Sequence, residues 1–277
     1  MADRCTIVVV RESGEHELYL SRFGAVGLDL ALLAGPGRAL TLLPGLQPGD
    51  WWPDDVLCQG AALVDHRRRV LLVFAWEGPS TTMLHRAAAL ELLREAWAGW
   101  EVRWAFDGPA DLRTYLGLDP EAVRDRERRV SPGFLVDADD ADDAELAGPE
   151  PMVAVVTVGS QRCHLVAGGG DHPVREGPAL LERVARGRDL GVCRVRAEAG
   201  IHVDPARRRV GWWTLGACAQ AYEMAGRWPG WTVEFWRDRF EEHVRACGGR
   251  FAPPPVDRER ALAAVRAQAQ EHWAAQP

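Results

Sequence analysis

Lysine and asparagine are absent from the 277-residue sequence, and isoleucine occurs only at Ile7 and Ile201. All three amino acids have codons rich in A and T, so their scarcity indicates a high-GC genome rather than selection for arginine. The missing lysine excludes a Walker A phosphate loop, a pyridoxal-phosphate Schiff base and a lysine general base. We therefore expect no cofactor.

Long hydrophobic runs are also missing. No apolar run approaches the roughly 20 residues that a transmembrane helix needs, and the N-terminus lacks the apolar core of a signal peptide. We expect no membrane contact and a cytoplasmic location. The formal net charge of −7 argues against nucleic acid as the main partner.

Closely spaced cysteine pairs are the third absence. None of the six cysteines forms a C-x-x-C motif, and the spacing matches neither a disulfide framework nor a structural zinc site. Buried free thiols are the favoured interpretation, and no metal site is expected. These cysteines are Cys5, Cys58, Cys163, Cys193, Cys218 and Cys247.

The clearest pattern that is present is an internal duplication. Residues 97–104 read WAGWEVRW and residues 228–235 read WPGWTVEF, so both follow W-x-G-W-x-V-x-aromatic. Asp107 follows the first stretch and Asp238 the second, at the same spacing. Gly99 and Gly230 fit the left-handed position that ends a helix.

Matching features flank both stretches. Two β-hairpins, a helix and a strand precede a closing helix in each half, as judged from alternating and helical apolar spacing. The spacing therefore predicts an α+β fold of two degenerate tandem copies of a β-β-(α)-β-β-α-β-α module, with a mainly antiparallel sheet and helices on one face. The expected segments are a first copy at 1–117, a charged, acidic linker at 118–150, a second copy at 151–248, and a proline spacer with a C-terminal helix at 249–277.

The twelve tryptophans suggest either a packed core or an aromatic binding surface. Trp97, Trp100, Trp228 and Trp231 occur in both copies and are expected in the core. Trp51 and Trp52 lie on a proline- and glycine-rich loop without a counterpart in the second copy. They are the better candidates for contact with a ligand or partner.

Two hairpin turns carry arginine triplets, each preceded by an aspartate. They could contact an anionic partner at two equivalent tips, although solvated turns in an arginine-rich proteome are the simpler interpretation. The six candidate binding residues are Arg67, Arg68, Arg69, Arg207, Arg208 and Arg209.

Catalytic candidates are weak. His85 lies near a helix start without a counterpart, and Asp65 and Asp204 begin the two arginine turns. A buried, hydrogen-bonded histidine is the favoured interpretation of His85. The glycines at 168–170 resemble a phosphate cradle but lack the spacing of a dinucleotide fingerprint.

The sequence therefore favours a non-catalytic binding or interaction protein of a high-GC bacterium, of the immunity or accessory type, with a protein partner. One alternative is an enzyme with an active site in the groove between the two copies. Another is nucleic-acid binding through the paired arginine tips. Oligomeric state is left open.

Overall fold

The computed structural model describes residues 4–125, 129–136, 152–168, 170–216 and 220–276. It confirms the α+β class, because this part of the chain forms two six-stranded mixed sheets and seven α-helices. The acidic run expected to act as a linker, residues 137–145, lies outside the described residues. No helix of the described chain is both long enough and apolar enough to cross a membrane.

The chain divides into two compact units, each built around one sheet. The first unit comprises Met1–Glu127, Gly216–Cys218 and Asp257–Pro277, and the second comprises Arg128–Leu215 and Ala219–Val256. The C-terminal helix therefore belongs to the first unit.

The first sheet has the strand order β3-β2-β1-β4-β5-β6. Strands β1 and β4 are parallel, as are β5 and β6, and the other three neighbouring pairs are antiparallel. The sheet is thus mixed with an antiparallel majority. Its strands are β1 (Cys5–Val10), β2 (His16–Ser21), β3 (Gln47–Pro48), β4 (Gly60–Asp65), β5 (Val70–Ala75) and β6 (Glu101–Trp104).

The second sheet has the order β12-β11-β10-β8-β9-β7 and repeats five of these strands with the same neighbours and directions. The sixth strand differs in origin, since β3 follows β2 in the chain whereas β7 precedes β8. The strands are β7 (Phe134–Leu135), β8 (Val153–Val158), β9 (Arg162–Ala167), β10 (Ala199–Asp204), β11 (Arg209–Thr214) and β12 (Thr232–Phe235).

Three helices of each unit follow corresponding strands, and the C-terminal helix of the first unit has no counterpart in the described part of the second. Shorter 3-10 turns at Ala39–Leu42, Pro79–Thr81, Pro120–Val123 and Pro173–Glu176 connect them. The seven helices are α1 (Leu28–Leu32), α2 (Arg86–Ala96), α3 (Pro109–Tyr115), α4 (Ala179–Arg186), α5 (Ala221–Arg227), α6 (Phe240–Ala246) and α7 (Arg258–Ala274).

Helices lie on both faces of the first sheet, which differs from the expectation that they would share one face. Leu28 of α1 and Leu93 of α2 pack with Ile7 on one face, where Trp273 of α7 donates a hydrogen bond to Leu30 O. Leu112 of α3 packs in a separate cluster on the other face. The apolar runs of β4 and β5, buried along their whole length, are typical of strands covered on both sides.

The duplicated tryptophan motif forms the same buried corner in both units. Trp97 Nε1 donates to Leu32 O at 2.7 Å, and Trp228 Nε1 donates to Val174 O at 2.8 Å. Both indoles are buried. Each also packs edge-on against the second tryptophan of its motif, with ring centroids 4.9 Å apart in the first unit and 5.2 Å in the second. The prediction that these tryptophans belong to the core is confirmed.

Glycine is required where the chain closes this corner. Gly35 and Gly177 both have positive φ, and a Cβ on either would collide with the carbonyl oxygen at the end of α2 or α5. Gly99 and Gly230 adopt φ values of 80° and 77°. A left-handed conformation costs glycine little, which explains the G of the repeated motif.

The two units differ most in the layer between sheet and closing helix. Strand register matches Val8, Leu63 and Phe74 of the first unit to Thr157, His202 and Trp213 of the second. Leu112 and His243 also match, since each follows the aspartate of its repeat by five residues. The first set is an apolar cluster. All four members of the second set are also buried, so four apolar side chains correspond to four polar ones.

The polar set forms one directed chain of hydrogen bonds. Trp213 Nε1 donates to His243 Nδ1 at 3.0 Å, so a neutral His243 carries its proton on Nε2. That nitrogen lies 2.7 Å from Thr157 Oγ1, whose hydroxyl can in turn donate to His202 Nδ1 at 2.9 Å. Protonating His243 would place two donors face to face.

A glycine beside Trp213 leaves room for these hydrogen bonds. A Cβ on Gly200 would lie 2.5 Å from Trp213 Nε1, and the first unit has Ala61 there. Burial lowers the pKa of His243 well below its ordinary value and also lowers that of His202. Burial likewise lowers the pKa of His172, whose Nε2 lies 3.0 Å from Trp213 O, to about 4.

The cysteine prediction was wrong for one pair. Cys163 of β9 and Cys193 are joined by a disulfide, whereas Cys5, Cys58 and Cys247 are buried thiols. Sequence spacing could not reveal this pair, because 30 residues separate its members and only the fold brings them together. A crosslink over a loop of this length typically contributes about 3 kcal/mol. Disulfides persist mainly in oxidising compartments, which does not favour the cytoplasmic expectation.

We expect the stability of the second unit to fall as pH drops from 6.5 towards 4. The folded pKa values of these histidines lie below the unfolded value, so unfolding takes up protons in this range and is favoured by acid. Each histidine should contribute a slope of about 1.4 kcal/mol per pH unit. Glu198, whose pKa is raised to about 7 by burial, contributes in the opposite direction and offsets about one of these slopes. Urea denaturation at several pH values measures this slope.

The matched variant is T157V/H202L/W213F/H243L, which introduces the apolar set of the first unit. It should fold and should lose most of the acid dependence, whereas H16Q, at an exposed site, should keep it. An unchanged pH slope in the quadruple variant would contradict the role assigned to these histidines.

Candidate functional site

The first unit contains an open groove of about 730 Å³. It lies where β1 begins and β2 ends, beside the loop that links β3 to β4. Its lining residues are Arg4, Cys5, Leu20, Ser21, Arg22, Phe23, Gly45, Gln47, Pro48, Trp51, Pro53 and Leu57.

The loop wall of the groove is held by specific hydrogen bonds despite having little regular structure. Gly49 N–H donates to Leu18 O at 2.9 Å, and the Ser21 hydroxyl donates to Pro44 O at 2.5 Å. Asp54 Oδ1 accepts hydrogen bonds from Val56 N–H at 3.0 Å and Leu57 N–H at 2.8 Å. The groove is therefore positioned by the sheet edge.

Large apolar side chains are exposed around this groove. Phe23 is 61% exposed, Trp51 is 49% exposed and Leu57 is 39% exposed. Within the described residues, five of the ten exposed large hydrophobic side chains fall between positions 23 and 57. Such clustering is typical of an interaction surface, whereas isolated exposed apolar residues are not.

The charge of the groove differs in sign from that of the whole chain. Its lining includes Arg4 and Arg22 and no acidic residue. In the part of the chain that the structure describes, neither guanidinium forms an ion pair or a hydrogen bond. The groove therefore combines exposed apolar side chains with two guanidinium groups that have no counter-charge among the described residues.

The two loop tryptophans have different environments. Trp51 lines the groove with half its surface exposed. Trp52 is partly buried against the core cluster that contains Leu112, and the Arg113 guanidinium lies 5.1 Å from its ring centroid. Trp51 is thus exposed in the groove, whereas Trp52 packs against the first unit's core; contact of either with a partner stays a prediction.

The arginine turns match each other with an offset of one residue. Asp65 pairs with Val70 across the first turn and Asp204 with Arg209 across the second. Arg68 is therefore equivalent to Arg207, and Arg69 to Arg208. All four residues lie on exposed turns. Arg67 aligns with Ala206 rather than with an arginine.

Local contacts occupy several of these arginines. Arg207 pairs with Asp204 at 3.0 Å and Arg209 with Glu234 at 3.4 Å. The Arg68 guanidinium lies 5.6 Å from the Tyr115 ring centroid. Arg69 and Arg208 have φ values of 53° and 49° and shape the turns. Contact with an anionic partner at the two tips stays a prediction.

The catalytic candidates have structural roles. Asp65 Oδ1 accepts from Arg68 N at 2.8 Å, and Asp204 Oδ1 accepts from Arg207 N at 3.1 Å, so both aspartates cap their turns. His85 precedes α2 and its Nδ1 lies 3.4 Å from Thr82 Oγ1.

His85 and Asp65 do not converge within the first unit. Asp65 ends β4 and faces the beginning of β5, whereas α2, which His85 precedes, starts after the other end of β5. Among the described residues no group of three or more His, Cys, Asp or Glu side chains could hold a metal ion. Gly169, the middle residue of the glycine run, lies outside the described part.

The sequence reasoning missed Arg4, Arg22, Phe23 and Leu57 as members of the site. A usable signal was present, because register matching aligns Arg22 with Ala167 and Phe23 with Gly168 of the second copy. Comparing the copies residue by residue would have shown a charged and an aromatic residue where the other copy has small ones. No family model, curated protein or solved structure matches this chain.

We expect the site tryptophan and the corner tryptophan to respond differently to removal. Trp51→Ala should change the free energy of unfolding by less than about 0.5 kcal/mol, as is usual for exposed sites. Trp97→Ala should cost about 3–5 kcal/mol, because it opens a buried cavity. Urea denaturation at neutral pH compares the two. Equal losses would mean that Trp51 belongs to the core.

Proposed function

We propose that this chain is a non-catalytic binding protein whose partner protein docks in the groove of the first unit. The observation that carries the proposal is the combination of exposed Phe23, Trp51 and Leu57 with two arginines, Arg4 and Arg22, whose guanidinium groups have no ion pair among the described residues. Aromatic residues and arginine are the types most enriched at protein interfaces and their energetic hot spots.

A binding role also agrees with the positions of the titratable groups. Asp65 and Asp204 cap turns, and His85 contacts Thr82. None of these three is in the groove lining, so the groove offers no general acid or base from that set. An immunity or accessory role in a high-GC bacterium, exerted by binding alone, is the proposed biological setting.

The test is affinity capture from lysate of the native host, with full-length protein and variants as bait. The wild type and Trp76→Ala should retain the same specific partner, because Trp76 is 39% exposed but is not part of the groove. The double variant F23A/W51A should lose it. Loss of about 2 kcal/mol or more per hot-spot aromatic would reduce capture at least tenfold.

Retention of that partner by F23A/W51A would overturn the proposal, as would recovery of no specific partner by the folded wild type. Circular dichroism of each bait establishes that the variants keep the fold. Loss of the partner in W76A alone would place the contact elsewhere.

A further inference from the structure

In the second unit, a short strand pairs with the outer edge of the first hairpin. An extended stretch of chain, Ser131–Val136, runs along the end of β9, where Phe134 pairs with Ala167 and Leu135 pairs with Val166. Val136 N–H donates to Leu165 O at 3.0 Å. The Phe134 ring lies directly over Gly168, since a Cβ there would be 2.5 Å from Phe134 Cε1.

In the first unit, no described strand pairs with the matching positions beyond Leu20. Strand β3 pairs with Tyr19 and Leu20 of β2, and its pairing stops there. Register matching makes Leu20 equivalent to Leu165, and Arg22 equivalent to Ala167. Alternate residues of a strand present N–H and C=O groups to the same edge, so the backbone of Arg22 is the next hydrogen-bonding position after Leu20.

No described residue forms a hydrogen bond with the backbone of Arg22. In the second unit the corresponding groups of Ala167 face the paired Phe134. The groove of the first unit lies at this place, with Leu20, Ser21, Arg22 and Phe23 in its lining. A strand position that is paired in the second unit thus has no partner strand among the described residues of the first.

Two guanidinium groups lie at this position. One step beyond the pair Cys5–Ser21, the register places Arg4 opposite Arg22. Both side chains line the groove, and none of its described lining residues is acidic. Like charges at directly opposed strand positions destabilise a sheet. A carboxylate between two guanidinium groups would reverse that effect through charge-assisted hydrogen bonds.

We infer that the groove binds an extended acidic segment of a partner protein, which pairs with the Arg22 backbone as an added strand and places a carboxylate between Arg4 and Arg22. An apolar side chain of the same segment packs on Phe23, Trp51 and Leu57. This inference rests on the proposed function and specifies the chemistry of the partner. Although the net charge of the chain is −7, the local charge of the groove favours an acidic partner segment.

The probe is a fluorescein-labelled hexapeptide, Asp-Phe-Asp-Val-Glu-Leu, titrated against the full chain and followed by fluorescence anisotropy. The matched peptide Lys-Phe-Lys-Val-Lys-Leu has the same apolar residues with the opposite charge. The acidic peptide should bind at least about tenfold more tightly, which corresponds to one charge-assisted hydrogen bond. Its affinity should fall with added salt.

Charge-reversal variants locate the contact. R4E/R22E should invert the preference so that the lysine peptide binds more tightly. Arg260→Glu makes a single matched charge change in the first turn of α7, where a negative side chain suits the helix N-terminus, and it should leave the preference unchanged. Equal affinities for both peptides, or an R4E/R22E variant that binds like the wild type, would overturn the inference.

Backbone pairing is tested by N-methylating alternate peptide bonds of the acidic probe. Two peptides are compared, one methylated at the odd-numbered peptide bonds and one at the even-numbered ones. Only one of them should lose binding, because the N–H groups of a strand point alternately to its two edges. Equal effects in both peptides would exclude an added strand.

A single-stranded dT12 oligonucleotide supplies the competing class of ligand. If it binds the wild type more tightly than the acidic peptide and R4E/R22E abolishes that binding, the groove recognises nucleic acid and the inference fails. If neither peptide binds while F23A/W51A still loses the captured partner, the proposed function stands and only the acidic-segment inference falls.

Discussion

Each unit depends on one buried contact, in which a tryptophan at the end of a helix donates its indole N–H to a backbone carbonyl. That carbonyl lies in the segment that connects the first hairpin of the unit to the second. This bond ties Trp97 to Leu32 and Trp228 to Val174. It requires a glycine beside the helix end, and Gly35 and Gly177 meet that need in the same way. A buried indole without an acceptor would cost about 1–3 kcal/mol, so these residues stay fixed together.

Because this corner holds the module, other layers could diverge. The second unit has a hydrogen-bonded Thr157–His243–Trp213 set where the first has aliphatic and phenyl side chains. It also has a disulfide at Cys163. The first unit instead has exposed aromatic residues and arginines around an open groove. We infer that the shared residues specify the fold and that the unshared surface residues carry the binding role.

Sequence reasoning succeeded where the signal was local and repeated. The W-x-G-W motif, the hairpins and the helix at Leu28–Leu32 follow from spacing and glycine alone. It failed where side chains come from separate elements. The Cys163–Cys193 bond, the histidine network and the placement of α3 on the second sheet face each depend on long-range packing. Trp51 was identified because it is unpaired between copies, whereas Phe23 and Arg22 needed the strand register.

The most direct test is hydrogen–deuterium exchange of the full chain with and without saturating acidic hexapeptide. We expect protection of amides at 21–24 and 47–57 of the first unit, because these segments line the groove. We expect no change at 166–168 of the second unit, where Phe134 and Leu135 already pair with this edge. Protection at the arginine turns, 66–69 or 205–208, without protection at 21–24 would contradict the central claim.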